Sequence, residues 1–171
     1  MSRARTHAAA EPAPSPVGVL ALPLLLALSI VVADQITKLM IDSSMRLHQS
    51  IPVVEGFINL TYVRNTGGAF SLLADAPAGL RIPLFVGVAF AAVVGLVWYL
   101  RSLPREDWLS RVACGLVLGG AVGNLVDRVL QGSVVDFVDV YVAGWHWPAF
   151  NVADSGISVG VVLLLLRSWR G

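Results

Sequence analysis

Aspartates are the residues of this chain best placed to do chemistry. Asp34, Asp127, Asp136, Asp139 and Asp154 stand within or beside long apolar runs. A carboxylate there is costly unless it is buried in a polar bundle, paired or wetted, so it marks a functional site by default. Two carboxylates held close resist double ionisation and share a proton. One can then take a proton from water while the other gives one to a carbonyl oxygen, as in aspartic proteases. No rival hydrolytic set competes: the three histidines are His7, His48 and His146, and no HExxH occurs. The lone Cys114 lies inside an apolar run, where it reads as helix packing, and no Cys/His cluster points to a metal. On residue type and spacing alone, the reacting pair stays open among the five aspartates.

The elements that must position these acids are membrane spans. Of 171 residues, 56% are hydrophobic and only 13% charged, against roughly 25% charged in soluble domains. The mean hydropathy is +0.75. A net charge of +1 with no basic stripe gives no case for nucleic acid. A bilayer crossing needs about 20 apolar residues, with about 17 as a floor. Four segments qualify: Val17 to Ala33, closed by Asp34; Ile82 to Leu100; Trp108 to Val126; and Asn151 to Arg167.

The basic residues orient them. Arg3 and Arg5 precede the first span, Arg101, Arg105 and Arg111 lie between the second and third, and Arg167 and Arg170 follow the fourth. By the positive-inside rule both termini face the cytoplasm. The outward side then holds eight of the eleven acids, including all five aspartates above. Residues 1–16, rich in Ala, Pro and Ser, read as a disordered cytoplasmic tail, and 17–171 as one four-span domain. A cleaved leader is disfavoured for the first span, because its removal would invert the charge bias.

Small residues aim the acids. Gly115, Gly119 and Gly123 recur every four residues, and the next step lands on Asp127. Residues four apart share a helix face, and small ones let membrane helices approach closely. Gly87, Ala91 and Gly95 repeat the device in the second span, and Gly156 and Gly160 in the fourth. Asn151 is a suitable N-cap for the fourth helix, with Asp154 at its N3 position.

Residues 131–141 are too short to span and are expected as an interfacial helix or loop, in which Asp136 and Asp139 would be neighbours if helical. Trp145, Trp147 and Tyr141 suit the headgroup level. In the outward segment, about 41–80, Ile51 to Val54 and Phe57 to Val63 read as strands of a small sheet, with turns at Gly56 and Asn65-Thr66-Gly67-Gly68. Asn65 and the glycines there either present amides to a substrate or form a plain turn. The fold class is therefore an all-α membrane protein of four transmembrane helices, with a small extracytoplasmic sheet and an interfacial helix or loop.

Five stretches in order resemble those of lipoprotein signal peptidase (signal peptidase II), the bacterial intramembrane aspartic peptidase family: Asp34-Gln35-Ile36-Thr37-Lys38; Asn65-Thr66-Gly67-Gly68-Ala69-Phe70-Ser71; Gly119 through Arg128; Val134-Val135-Asp136-Phe137; and Phe150-Asn151-Val152-Ala153-Asp154-Ser155. The resemblance covers about 17–167. It implies Asp136 and Asp154 as the catalytic pair. It also implies Asp34, Asn65, Gly67, Asn124, Asp127, Arg128 and Asn151 as residues that shape the site. Asp127 beside Arg128 reads as a structural ion pair. The implied substrate is a prolipoprotein with a diacylglyceryl cysteine, cut just before that cysteine at the outer face of the cytoplasmic (inner) membrane. No cofactor or metal is implied, membrane lipid is the surrounding partner, and a monomer is expected. The alternative is a small cation or proton transporter. Against it stand the lack of any mid-span carboxylate and of any Gly/Pro-broken span.

Overall fold

The computed structural model describes residues 16–67, 73 and 76–169. Residues 1–15 of the expected tail, Arg170 and the 68–71 part of the second motif lie outside the described residues. Four helices, α1 (Pro16–Ser44), α2 (Ala78–Ser102), α3 (Trp108–Gln131) and α4 (Val152–Trp169), are each long and apolar enough to cross a membrane. α3 is the hub and packs against α1, α2 and α4.

Glycine makes this close packing possible. A methyl at Gly115 would strike the Pro23 backbone of α1, and one at Gly119 the Ala27 carbonyl. Gly123 meets Asp34 in the same row. Gly120, one residue off that row, lies against the Ala153 carbonyl where α4 begins, and Gly156 and Gly160 return the contact at Leu116 and Ala113 of α3. The expected small face of α2 behaves differently. Gly87 and Gly95 have nothing within 4 Å. α2 meets its neighbours through other residues: Ile82 against Gly132, Phe85 under Arg128, and Leu96 and Leu100 in a cluster with Cys114. Gly87, Ala91 and Gly95 fall on the opposite side of the helix.

The first helix also differs from expectation. It does not close at Asp34 but runs ten residues further, to Ser44. Asp34 is tolerated inside it because Lys38, one turn on, pairs with it at 2.7 Å. The extension supplies Ile41, and the residue just past its end, Met45, completes a platform on which Tyr62, Val135 and Phe137 of the sheet pack.

That sheet has four antiparallel strands in the order β1 (Ser50–Val54), β2 (Ile58–Asn65), β3 (Val134–Val142) and β4 (Trp145–His146). The segment expected as an interfacial helix or loop is thus strand β3. Val134-Val135 and Val138-Val140-Tyr141 favour a pleated surface. Gly132, at φ 69°, ends α3 in a left-handed turn just before the strand starts. In a strand, residues three apart point to opposite faces. Asp136 and Asp139 therefore part company: Asp139 meets Asn59 and His146, while Asp136 turns inward.

Candidate active site

Backbone pairing brings Asp136 to the start of α4. The Phe150 carbonyl accepts from the Phe137 and Val138 amides, and the Phe150 amide donates to the Val138 carbonyl. The residue after Phe150 is Asn151, so the helix start is stitched to the strand that carries Asp136. Asn151 caps α4 as its position predicts. Its Oδ1 accepts from the Asp154 amide at 2.9 Å, and its own amide donates back to Asp154 Oδ2 at 3.2 Å. This reciprocal pattern fixes Asp154 at N3.

Both carboxylates line one cavity of ≈ 860 Å³. Asn151 touches both, because its Nδ2 donates to Asp136 Oδ1 at 2.7 Å. Asp154 Oδ1 accepts from Asn124 Nδ2 at 2.8 Å. Asp136 Oδ2 accepts from Asn65 Nδ2 at 3.0 Å. Burial pushes the Asp136 carboxyl up to about 7, and the charge of Asp154 adds to it; the amides of Asn65 and Asn151 and the charge of Lys38 pull the other way. The cavity runs from Val63, Arg64 and Asn65 of β2, past Trp147 to Phe150, and down α4 to Val159. It thus joins a polar mouth at the sheet to an apolar flank along a membrane-spanning helix.

Asn65 shapes that mouth as part of a turn. Its Oδ1 accepts the Gly67 amide at 3.0 Å, so this amide is committed within the chain rather than offered to a substrate. Arg128 closes the same turn, donating to the Gly67 carbonyl at 3.2 Å while lying over the Phe85 ring. It is held off Asp127, and the expected Asp127–Arg128 pair does not form. Consecutive helix positions are about 100° apart around the axis, and Asp127 faces the bundle while Arg128 faces the cavity.

Asp127 pairs instead with Lys38, at 2.6 Å. Asp34 shares that ammonium, and its other oxygen accepts the Ala153 amide at 2.9 Å. Gln35 Nε2 donates to Asp127 at 2.9 Å. Asp34 and Asp127 are 0% and 2% exposed and Lys38 only 4%. All three are sealed behind α3, away from the cavity lining. Lys38 and Gln35 were missed as site residues. The available signal was a lysine four residues after an aspartate in an apolar stretch, the spacing of an i,i+4 pair.

Comparison with known proteins identifies the arrangement. Residues 26–170 match the family model for Signal peptidase (SPase) II. The chain belongs to the signal peptidase II family. The lipoprotein signal peptidase of Syntrophotalea carbinolica is 51% identical over 86% of this chain and 90% of that protein. Those of Geobacter sulfurreducens and Bacillus velezensis are 49% and 41% identical, over 81% and 84% of this chain and 86% and 90% of theirs. Two solved structures described as a bacterial membrane enzyme, obtained by the in meso method at 2.3 and 1.9 Å, superpose with TM-scores of 0.80 and 0.78. Each is 33% identical; they cover 88% and 86% of this chain, and 88% and 92% of their own. As a signal peptidase II, the chain is a peptidase and a multi-pass protein of the bacterial inner membrane. The transporter alternative finds no support in these relatives.

Proposed function

We propose that this chain is an aspartic endopeptidase that frees the signal peptide of diacylglyceryl-modified prolipoproteins by cleaving before the lipidated cysteine. The reading rests on one observation above the rest: Asp136 and Asp154 line the same cavity and are bridged by Asn151. Relatives covering most of the chain are named lipoprotein signal peptidases, which supports the substrate class.

In this reaction ionised Asp154 removes a proton from water, and the resulting hydroxide adds to the scissile carbonyl. Asp136 protonates the carbonyl oxygen, whose negative charge would otherwise build up. The gem-diol intermediate then collapses: the C–N bond breaks, Asp154 passes its proton to the leaving nitrogen, and a hydroxyl proton returns to Asp136 as the carbonyl re-forms. The elevated proton affinity of Asp136 supports this split, although the pair titrates as a unit. Asp34, Asn124, Asp127 and Asn151 hold the pair from behind, and Asn65, Gly67 and Arg128 form the rim. The substrate's signal helix lies along the α4 flank of the cavity, and its lipid chains stay in the bilayer.

The charge bias supports an inward-facing α2–α3 connection with Arg101 and Arg105, hence cytoplasmic termini and a site at the outer face. One domain over 17–171, acting as a monomer, suffices for the activity.

The test is cleavage of a diacylglyceryl-modified precursor by purified protein in detergent, with products identified by mass. Asp136→Asn and Asp154→Asn should each lower turnover by about 10²–10⁴-fold, the contribution of a positioned acid or base, without changing Tm by more than a few degrees. Turnover should also fall as pH rises through about 7, where Asp136 loses the proton it must donate. Near-normal turnover in either variant sinks the pair.

A further inference from the structure

Behind the cavity lies a buried cation that the reaction above does not use. Lys38 Nζ is within 2.7 Å of Asp34, 2.6 Å of Asp127 and 3.0 Å of Asn124 Oδ1. An ammonium carries donors only. The orientation of the Asn124 amide, ordinarily ambiguous, is therefore dictated: its oxygen faces Lys38 and its NH₂ faces Asp154. The Asp154 backbone amide, also donor-only, likewise dictates Asn151, whose NH₂ must point to Asp136.

Hydrogen-bond number does not separate the two carboxylates, because each has both oxygens accepting from protein donors. What separates them is the charge behind the amide. Asp154 sits one amide from the Lys38 cation. Asp136 is reached through Asn151, or from Asn65, whose oxygen is held by the neutral Gly67 amide. A charge-backed amide is the stronger donor, since hydrogen bonds polarise one another in series, and a stronger donor favours the ionised acceptor.

We propose that Lys38 is a positioning residue for the reaction: through Asn124 it presents a fixed, charge-backed donor to Asp154 and so makes Asp154 the ionised member of the pair. The inference rests on the Asp136/Asp154 reading of the active site. The charged groups around this relay are Asp34 on α1, Asp127 and Arg128 on α3, Asp154 on α4 and Asp136 on β3. Asp34 and Asp127 neutralise Lys38 in part, and neither hydrogen-bonds to Asn124 or Asp154, so the relay to Asp154 passes through the lysine.

Lys38→Met by itself would strand two buried carboxylates and could prevent folding. The primary test is the double variant Lys38→Met/Asp127→Asn, which removes one charge of each sign. Its turnover of a diacylglyceryl-modified precursor is measured across pH beside Tm. The expected result is a drop in kcat of about 10–100-fold, by analogy with the loss of an outer partner that orients a metal-bound side chain. KM should stay near wild type, and the whole pH profile should move to higher pH, because the lysine charge that reaches the pair is lost while the Asp34 carboxylate remains. An unchanged kcat and pH profile in a folded double variant overturns the proposal.

If the double variant does not fold, Asn124→Asp decides. It keeps an acceptor for Lys38 but turns the donor toward Asp154 into an acceptor. Lost turnover at an intact Tm supports the relay, and retained turnover overturns it. Asp154→Asn, run alongside, separates the two readings. If that variant is active, the pair itself is wrong; if it is dead while the Lys38 double variant behaves as wild type, only the relay is wrong.

Discussion

Two carboxylate pairs lie within one bundle, and they meet opposite fates. Asp34 and Asp127 share a lysine, are sealed by the glycine row of α3, and have no access to the cavity. Asp136 and Asp154 share only amides and open onto ≈ 860 Å³ of space. The residue type is the same, so the environment assigns the role. A cation between two acids removes their competition for a proton and makes a structural tie. Without it, burial and mutual repulsion leave a proton on one member. The sealed pair also serves the open one, because Asp34 grips the Ala153 amide at the head of α4, one residue before Asp154.

Breaking each pair should therefore read out differently. The largest effect is the loss of turnover in Asp136→Asn and Asp154→Asn at unchanged Tm. On the sealed side the loss should be in stability. Asp127→Ala leaves Lys38 with one carboxylate and should cost about 3 kcal/mol, the low end for removing one partner of a buried ion pair, measured by unfolding in detergent. If it left stability intact, the structural role assigned to that pair would be wrong.

A smaller effect sharpens the contrast between helix contacts. Gly120→Ala would press a methyl into the Ala153 carbonyl. It should cost about 1–3 kcal/mol by overpacking and lower turnover by shifting the start of α4. The smallest effect is on α2. Gly87 has open space around it, so Gly87→Ala should leave stability unchanged or raise it by up to about 1 kcal/mol of helix propensity. Equal losses at Gly87 and Gly120 would contradict the packing described here.

The α3 row shows what was legible from pattern. Period-four glycines ending on Asp127 predicted which face is buried, because helical periodicity is local and regular. Asn151 and Asp154 were legible for the same reason, since a capping box is a four-residue motif. The spans and both β2-side strands followed from composition and alternation. Most of the misreadings involve partners remote in sequence. Lys38 was passed over because its second carboxylate lies 89 positions away on α3. Residues 131–141 were not read as a strand, since β3 exists by pairing with β2, and the register Val63↔Asp136 joins segments on either side of two spans. The small face of α2 was overread: small residues permit close approach but do not supply a neighbour.

The most direct test of the comparison is the infrared signature of the neutral carboxylic acid, followed in the intact protein from pH 5 to 9. Asp136 is held up to about 7, against about 3.9 for a free aspartate. Between these values the folded chain keeps a proton that the unfolded chain has lost, so stability falls as pH rises across that window. The account predicts a carboxylic-acid band that fades with a midpoint near 7, is abolished by Asp136→Asn, and survives Asp127→Asn. A band that persists in Asp136→Asn and disappears in Asp127→Asn would place the shared proton in the sealed pair and contradict the assignment of the site.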